Sequence, residues 1–243
     1  MRCHVYAATD VGCVRKHNED ALCVGTTAVF GTPAWQSSFA LEGDMPILVA
    51  VVDGMGGHRG GADASRIVVK HLAATPAQSP TSEKAADLMN AINTELFNTS
   101  NQNADLCGMG ATIAMLWMDA SGGLCINVGD AKVFREQDGF LQLRSEDQVI
   151  QSATGSRVLF QALGGTTSLQ SITAAIRSEP MRAGRRFLLC SDGLTDEVDM
   201  DTMEELMKQP NEKAVQALIE SARVAGGHDN ITIAIVEIME NDV

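Results

Sequence analysis

The sequence predicts an α+β fold in which sheets pack on each other and helices lie outside. Three observations predict it. Short apolar runs of strand length are numerous, brief Gly-containing turns join several of them directly, and amphipathic helical patterns are interleaved with them.

The strand candidates are residues 5–8, 47–52, 111–117, 124–128, 132–136, 140–144, 187–190 and 231–238. Ser121-Gly122-Gly123, Gly129-Asp130 and Asp138-Gly139 separate consecutive candidates, which suits antiparallel meanders and excludes a purely parallel βαβ series. One helix is predicted over residues 62–73 and a second over 83–98, where Ala85, Leu88, Met89, Ile92 and Leu96 share a face. The Pro-, Ser- and Thr-rich stretch 73–82 reads as the loop between them. A last helix over 212–225 turns Val215, Leu218, Ile219 and Ala222 inward before the final strand.

With 243 residues, 45% of them hydrophobic, the chain is expected to form one domain over 1–243. Its longest apolar runs, 47–52 and 187–190, are far shorter than the ~20 residues a bilayer-crossing helix needs. No membrane association is expected, and the opening Met1-Arg2-Cys3-His4-Val5 lacks a secretory pattern, so the cytoplasm is the expected location. Cys3, Cys13, Cys23, Cys107, Cys125 and Cys190 contain no C-x-x-C pair and sit mostly among apolar neighbours, as buried reduced thiols do. A formal charge of −13 disfavours nucleic acid as a partner, since phosphate backbones are repelled.

The chemistry concentrates where apolar runs meet acids. Residues 47–52 run into Asp53-Gly54, residues 187–190 run into Ser191-Asp192-Gly193, and His228-Asp229-Asn230 precedes residues 231–236. Any one of these alone is an ordinary turn signal. Three together are different, because a carboxylate at the end of a buried strand is costly to desolvate unless paired, and basic residues are scarce there. Arg15-Lys16-His17-Asn18-Glu19-Asp20 adds two more carboxylates. If these acids converge, the donor set is all oxygen, suited to Mg²⁺ or Mn²⁺ and unsuited to thiolate-bound zinc. Two such ions about 3.5 to 4 Å apart clamp a phosphate and acidify a water, which makes phosphate ester hydrolysis the natural use. The guanidinium of Arg15 offers a planar fork to phosphate oxygens. The glycine-rich run 53–61 lacks both the dinucleotide-loop spacing and the P-loop ending, so its glycines are read as allowing close backbone approach, with the Gly54 carbonyl free to face a metal.

Seven pieces in order carry a resemblance over nearly the whole chain. They are Thr9-Asp10-Val11-Gly12 with Arg15 and Asn18-Glu19-Asp20; Val52 to Gly57; Gly110-Ala111-Thr112; Val128 to Lys132; Ala162 to Gly165; Ser191 to Asp196; and Gly227 to Thr232. Together they resemble the metal-dependent protein serine/threonine phosphatases of type 2C, in particular the compact bacterial members. The resemblance implies a four-layer α-β-β-α sandwich with two central, mainly antiparallel sheets and a binuclear metal centre at one edge. It implies that Asp53 bridges two Mn²⁺ or Mg²⁺ ions, that Asp192 and Asp229 complete one of them, and that Glu19 and the Gly54 carbonyl serve the other. Asp20 would support that shell, Arg15 would contact the substrate phosphate, and Asp130 with Asp192 would hold a third, weaker ion.

The implied activity is hydrolysis of phosphoserine and phosphothreonine in proteins, opposing a cognate serine/threonine kinase. The chain departs from the family at Gly129-Asp130-Ala131-Lys132, at Asp147-Gln148, and at Met55, where many eukaryotic relatives carry histidine, so no general acid is assigned. His58 and His228 lie near the expected site and are read equally well as hydrogen-bonded loop residues. The segment between Asp147 and Leu163 is brief, implying a reduced flap. A catalytically weak phosphatase-like sensor or scaffold binding phosphoprotein is the alternative. The short flap also resembles that of phosphatases encoded with bacterial type VI secretion systems, which implies secretion components as partners.

Overall fold

A computed structural model describes residues 1–56, 60–152 and 157–240. The first half comprises β1 (Arg2–Asp10), β2 (Ala21–Val24), β3 (Thr27–Phe30), β4 (Ala34–Glu42), β5 (Ile47–Met55), α1 (Gly60–Ala74), α2 (Ser82–Gln102), β6 (Gly110–Asp119) and β7 (Gly122–Val128). There follow β8 (Lys132–Gln137), β9 (Phe140–Leu143), β10 (Val149–Gln151), β11 (Arg157–Leu159), β12 (Leu163–Gly164), β13 (Ala175–Glu179) and β14 (Arg186–Cys190). Then come α3 (Asp192–Thr195), α4 (Met200–Met207), α5 (Asn211–Ala225) and β15 (Ile231–Met239). Among the described residues one sheet runs β4-β1-β15-β14-β8-β9 and the other β13-β7-β6-β5-β2-β3, with β12 beside β6 and β10-β11 a separate hairpin.

The continuous apolar runs have a simple cause: both faces of each sheet are covered. Along β5, Ile47, Val49 and Val51 point to the opposite sheet, where they meet Val5, Leu189 and Val236. The alternate side chains Leu48, Ala50 and Val52 point the other way, under Val68 and Leu72 of α1 and Met89 and Ile92 of α2. The same two-residue period divides β15, with Ala234 and Val236 inside and Ile231, Ile233 and Ile235 under Val215, Leu218 and Ala222 of α5. Three apolar layers therefore separate four layers of backbone, α-β-β-α. α2 is started by Thr81, whose side chain accepts from the Lys84 amide.

Nine of these elements lie outside the sequence expectation: β2, β3, β4, β10, β11, β12, β13, α3 and α4. β2 is four residues long, and β3 follows it through a tight turn. β4 is an edge strand in which Gln36, Ser37 and Ser38 interrupt the apolar pattern, although Trp35, Phe39 and Leu41 still pack on the inner core. α4 is a two-turn helix that buries only Met203 and Met207. Cys3, Cys23, Cys125 and Cys190 are buried free thiols, each pushed up to about 12 chiefly by burial. Cys13 and Cys107, in contrast to the expectation of burial, are free and exposed. Among the described residues no helix is long and apolar enough to cross a membrane.

Leu116 is fully buried between the sheets, whereas Phe140 is 63% exposed at the end of β9. Leu116→Ala is expected to cost about 2–5 kcal/mol in chemical denaturation and Phe140→Ala less than about 1 kcal/mol. Equal losses at the two positions would contradict the layered core.

Candidate metal centre

Register brings the ends of several strands to one edge of the sandwich. In one sheet β1 ends at Asp10 opposite Ile231, and β14 ends at Cys190 opposite Ile233 and Lys132. In the other, Asp53 faces Thr112, Val52 faces Ala21, and Val128 faces Ile113. The loops beyond these ends enclose a cavity of about 250 Å³. Its walls are Arg15 and Glu19 from the β1–β2 loop, Asp53, Gly54 and Met55 from β5, Asp130 from the β7–β8 turn, Asp192 from the start of α3, and Asp229 from the turn before β15. Gly56, Thr112 and Leu159 complete it.

Two glycines make this convergence sterically feasible. A Cβ on Gly54 would lie 2.1 Å from the Gly61 carbonyl oxygen and 2.6 Å from that of Glu19, so the end of β5, the start of α1 and the Glu19 loop meet only because position 54 has no side chain. A Cβ on Gly193 would lie 2.0 Å from the Asn230 carbonyl oxygen, which is how Asp192 is pressed against the Asp229 loop.

Buried polar side chains fix the loops. The Asn230 amide donates to the carbonyls of Val11 (3.0 Å) and His17 (3.1 Å), and its Oδ1 accepts from the Glu19 amide at 2.8 Å. Asn18 donates to Thr9 Oγ1 (2.8 Å) and the Thr32 carbonyl (3.0 Å) while accepting from the Asp20 amide at 3.1 Å. Ser191 Oγ donates to Asp20 Oδ2 at 2.8 Å and accepts from the Thr232 amide at 3.0 Å. Asn230, Asn18, Ser191, Thr232 and Thr112 entered the sequence reading only as members of motifs. Asn18, Ser191 and Asn230 had as their single signal an Asn or Ser beside an acid, which ordinary turns also show, and Thr112 and Thr232, flanked by apolar residues, had none.

Of the expected site residues, Arg15, Glu19, Asp53, Gly54, Asp130, Asp192 and Asp229 share the cavity, whereas Asp20 is buried behind its wall. His228 does not line the cavity; its Nδ1 lies 2.5 Å from Glu197 Oε1. His58, with Gly57 and Arg59, lies outside the described residues. The departures at 132 and 148 are built into the Asp130 turn. Gln148 Oε1 accepts from the Gly129 amide at 2.8 Å, its Nε2 donates to the Thr173 carbonyl at 3.0 Å, and Lys132 Nζ donates to the Asp130 carbonyl at 3.0 Å.

Electrostatically the cavity is overloaded with negative charge. Burial pushes the Asp53 carboxyl well above the usual carboxylate range, and Asp20, Asp192 and Asp229 push it further. Asp20 is pushed up to about 7, mainly by burial and against the hydrogen bonds from Thr232 and Ser191. Asp192 is pushed up to about 6, first by burial and then by Asp130 and Asp196. Burial also raises Glu19, against the pull of Arg15. Arg15 is the only cation among the described residues that line the cavity, and its Nη2 donates to Asp229 Oδ2 at 2.6 Å. Asp192 Oδ1 and Thr112 Oγ1 are buried with no hydrogen-bond partner. Among the described residues no three or more His, Cys, Asp or Glu side chains are gathered closely enough to hold one metal ion between them, so the acids ring the cavity rather than meet at a point. Orphaned buried oxygens, raised carboxyls and five acidic side chains among the lining residues fit hard divalent cations, which relieve the repulsion and accept those oxygens as ligands.

Comparison with known proteins places this arrangement. Residues 34–229 match the family described as Protein phosphatase 2C. The chain is 30% identical to the serine/threonine protein phosphatase PstP of Mycobacterium tuberculosis over 98% of its own length and 45% of the relative's, so it spans about half of that protein. The catalytic domain of PstP in complex with two manganese ions superposes with a TM-score of 0.76 at 29% identity, covering 99% of this chain and all of that one. The serine/threonine phosphatase stp of Listeria monocytogenes is 30% identical over 96% of this chain and 95% of its own. PppA, a key regulatory component of T6SS in Pseudomonas aeruginosa, matches with a TM-score of 0.77 at 26% identity, over 96% and 97% of the two chains. A family match across most of the length, joined to an acid-ringed cavity at the sheet edge, leads to one conclusion: the chain belongs to the protein phosphatase 2C family.

Proposed function

We propose that residues 1–243 act as one domain that hydrolyses phosphoserine and phosphothreonine in proteins. The observation that carries the reading is the gathering of Glu19, Asp53, Asp130, Asp192 and Asp229 around one small cavity, with Arg15 as the single cation among the described lining residues. A negatively charged phosphate does not enter such a cavity unless cations enter with it.

In this reading Asp53 would be the residue shared by two divalent cations, Mn²⁺ or Mg²⁺. Asp192 and Asp229 would help hold one of them, Glu19 and the Gly54 carbonyl the other, and Asp130 with Asp192 would hold a third, weaker ion. Asp20 braces the shell from behind through Ser191. When bound, the ions neutralise the carboxylates, lower the pKa of water in the cavity and polarise the phosphoryl oxygens. Arg15, half-exposed at the mouth, releases Asp229 and turns its guanidinium fork to the phosphate, fixing the phosphorus in line with attack. Water oxygen bonds to phosphorus, the phosphorus–oxygen bond to the serine or threonine breaks, and the alcohol leaves after taking a proton. Met55 occupies the wall where a histidine acid would stand, so that proton comes from solvent-derived water rather than from residue 55. Gln148 and Lys132, though departures from the family pattern, hold the Asp130 turn, which favours an active enzyme over a scaffold. The names of the relatives support phosphoprotein substrates, and the likeness to PppA, a key regulatory component of T6SS, supports T6SS components as partners; an opposing serine/threonine kinase and a cytoplasmic location are part of the same proposal.

Asp192→Asn is expected to lower Mn²⁺-dependent hydrolysis of p-nitrophenyl phosphate by at least about a hundredfold. It should also raise the melting temperature measured in chelator, because one of the mutually repelling carboxyls is gone. Full activity, or a lower metal-free melting temperature, would contradict the assignment.

The raised carboxyls also fix a pH dependence. A carboxyl with its folded pKa above the unfolded value adds stability below about 4, and that stability is lost as pH rises through about 6 to 7 for Asp192 and Asp20. Bound cations reverse the preference by favouring the ionised form. The Mn²⁺-induced rise in melting temperature should therefore widen between pH 5.5 and pH 7.5. It should reach about 5–10 °C at a hundredfold excess over Kd. A gap that stays constant across this range would count against the carboxyls as ligands.

A further inference from the structure

The apolar layer between the two sheets has two open sides, and the chain closes them differently. β1 lies over β2 and β8 over β7, so the edge strands β3 and β4 flank one side and β9 and β13 the other. Val29, Trp35, Phe39 and Leu41 shut the first. On the second, the inward-facing rows change from apolar to charged. Val133 of β8 belongs to the inner core, but two residues on the same face carries Arg135. Cys125 of β7 is likewise in that core, yet its neighbour on β13 is Arg177, with Glu179 two residues further along the same face.

Glu179 is the hub of this side. Its Oε2 accepts from Arg135 Nη1 at 3.0 Å and lies 3.9 Å from Arg185 Nη1, while its Oε1 is paired with Arg144 Nη2. The Glu179 side chain is fully buried, whereas those of Arg135, Arg144 and Arg185 are 15%, 20% and 16% exposed, so the guanidiniums form the layer between carboxylate and solvent. One carboxylate thus meets three guanidiniums, an excess of two positive charges on a chain whose net charge is −13. Arg177 and Arg182 are exposed nearby, and among the described residues neither side chain makes a hydrogen bond or an ion pair. Arg135 Nε and Arg144 Nε are buried without a hydrogen-bond partner. Burial pushes Arg185 down, and Arg135, Arg182 and Arg144 push it further against the pull of Glu179. Sealing the sandwich does not require this repulsion, because apolar side chains seal the β3–β4 side, and a buried ion cluster is commonly no more stabilising than apolar packing.

We propose that the arginine cluster around Glu179 is a binding site for a phosphoryl dianion, supplied as free inorganic phosphate or carried on a phosphorylated peptide. The excess of two positive charges matches a doubly charged oxyanion better than a single carboxylate. Three or more phosphate oxygens accept paired N–H donors from several planar guanidiniums at once, and Glu179 holds those guanidiniums in place. The site is separate from the catalytic cavity. Glu179 faces Gly123 near one end of β7, whereas Val128 at the other end leads into the Asp130 turn, and five residues of strand span about 17 Å. Binding there requires neither a metal nor catalysis.

The test is calorimetric titration and thermal melting of the full chain stripped of divalent cations, a state in which the acid-ringed cavity repels anions. The probes are sodium phosphate and a short blocked peptide with one phosphothreonine and no other charge, against sodium chloride and sodium acetate at matched ionic strength and neutral pH. Phosphate should saturate one site and raise the melting temperature by about 5–10 °C at a hundredfold excess over Kd, while chloride and acetate should give no saturable change. Arg177→Gln combined with Arg182→Gln, both at exposed positions, should weaken phosphate binding at least about tenfold. Glu179→Gln should enlarge the phosphate-induced rise whatever it costs the fold, since the anion then takes the place of the lost carboxylate. Arg15→Ala should leave phosphate affinity unchanged. Peptide binding at least as tight as that of phosphate assigns the site to phosphorylated protein, and phosphate binding without peptide binding assigns it to the free anion. An equal response to phosphate and chloride, undiminished affinity in the doubled arginine variant, or loss of binding in Arg15→Ala would overturn the proposal.

Discussion

Carboxylates that repel one another across a small, partly desolvated cavity are the constraint on which the rest of this molecule depends. Asp53, Asp192 and Asp229 stand at the ends or beginnings of buried strands and short turns, where the described residues that line the cavity supply one guanidinium and no second cation. Packing holds them there. The inner core fixes the strand ends, and the close approaches at Gly54 and Gly193 leave the backbone no room to move the acids apart. Stability gained in the core thus holds an electrostatic conflict in place at the edge, and divalent cations resolve it.

Supporting residues divide this work between them. Asn230 and Asn18 satisfy five backbone and side-chain groups of the β1–β2 loop region, so Arg15 and Glu19 project from a fixed base. Arg223 of α5 grips both oxygens of Asp10 at 3.0 Å, tying the start of that loop to the helical layer. On the opposite side Gln148 bridges the Gly129 amide and the Thr173 carbonyl, connecting the Asp130 turn to the segment that leads into β13. The acids are therefore the visible part of a larger polar network that runs along the whole edge.

Much of the architecture was legible because its signals were local. The runs 47–52 and 231–238 are too uniformly apolar for half-exposed strands, and burial on both faces is the reason. Strand-then-acid junctions marked Asp53, Asp192 and Asp229 for the same reason, since a charge at the end of such a run demands a partner. What stayed hidden depended on tertiary context. β4 reads as a polar loop because its Gln and Ser face outward at a sheet edge, and β2 is too short to carry a period. Thr112 and Ser191 sit inside motifs whose letters do not reveal that one oxygen is orphaned in the cavity and the other holds Asp20.

Anomalous diffraction from crystals soaked in Mn²⁺ tests the central claim most directly. The account predicts two strong peaks about 3.5 to 4 Å apart inside the cavity, with Asp53 between them and Asp192 and Asp229 on one. A cavity that binds no manganese while its carboxylates keep these positions would contradict it.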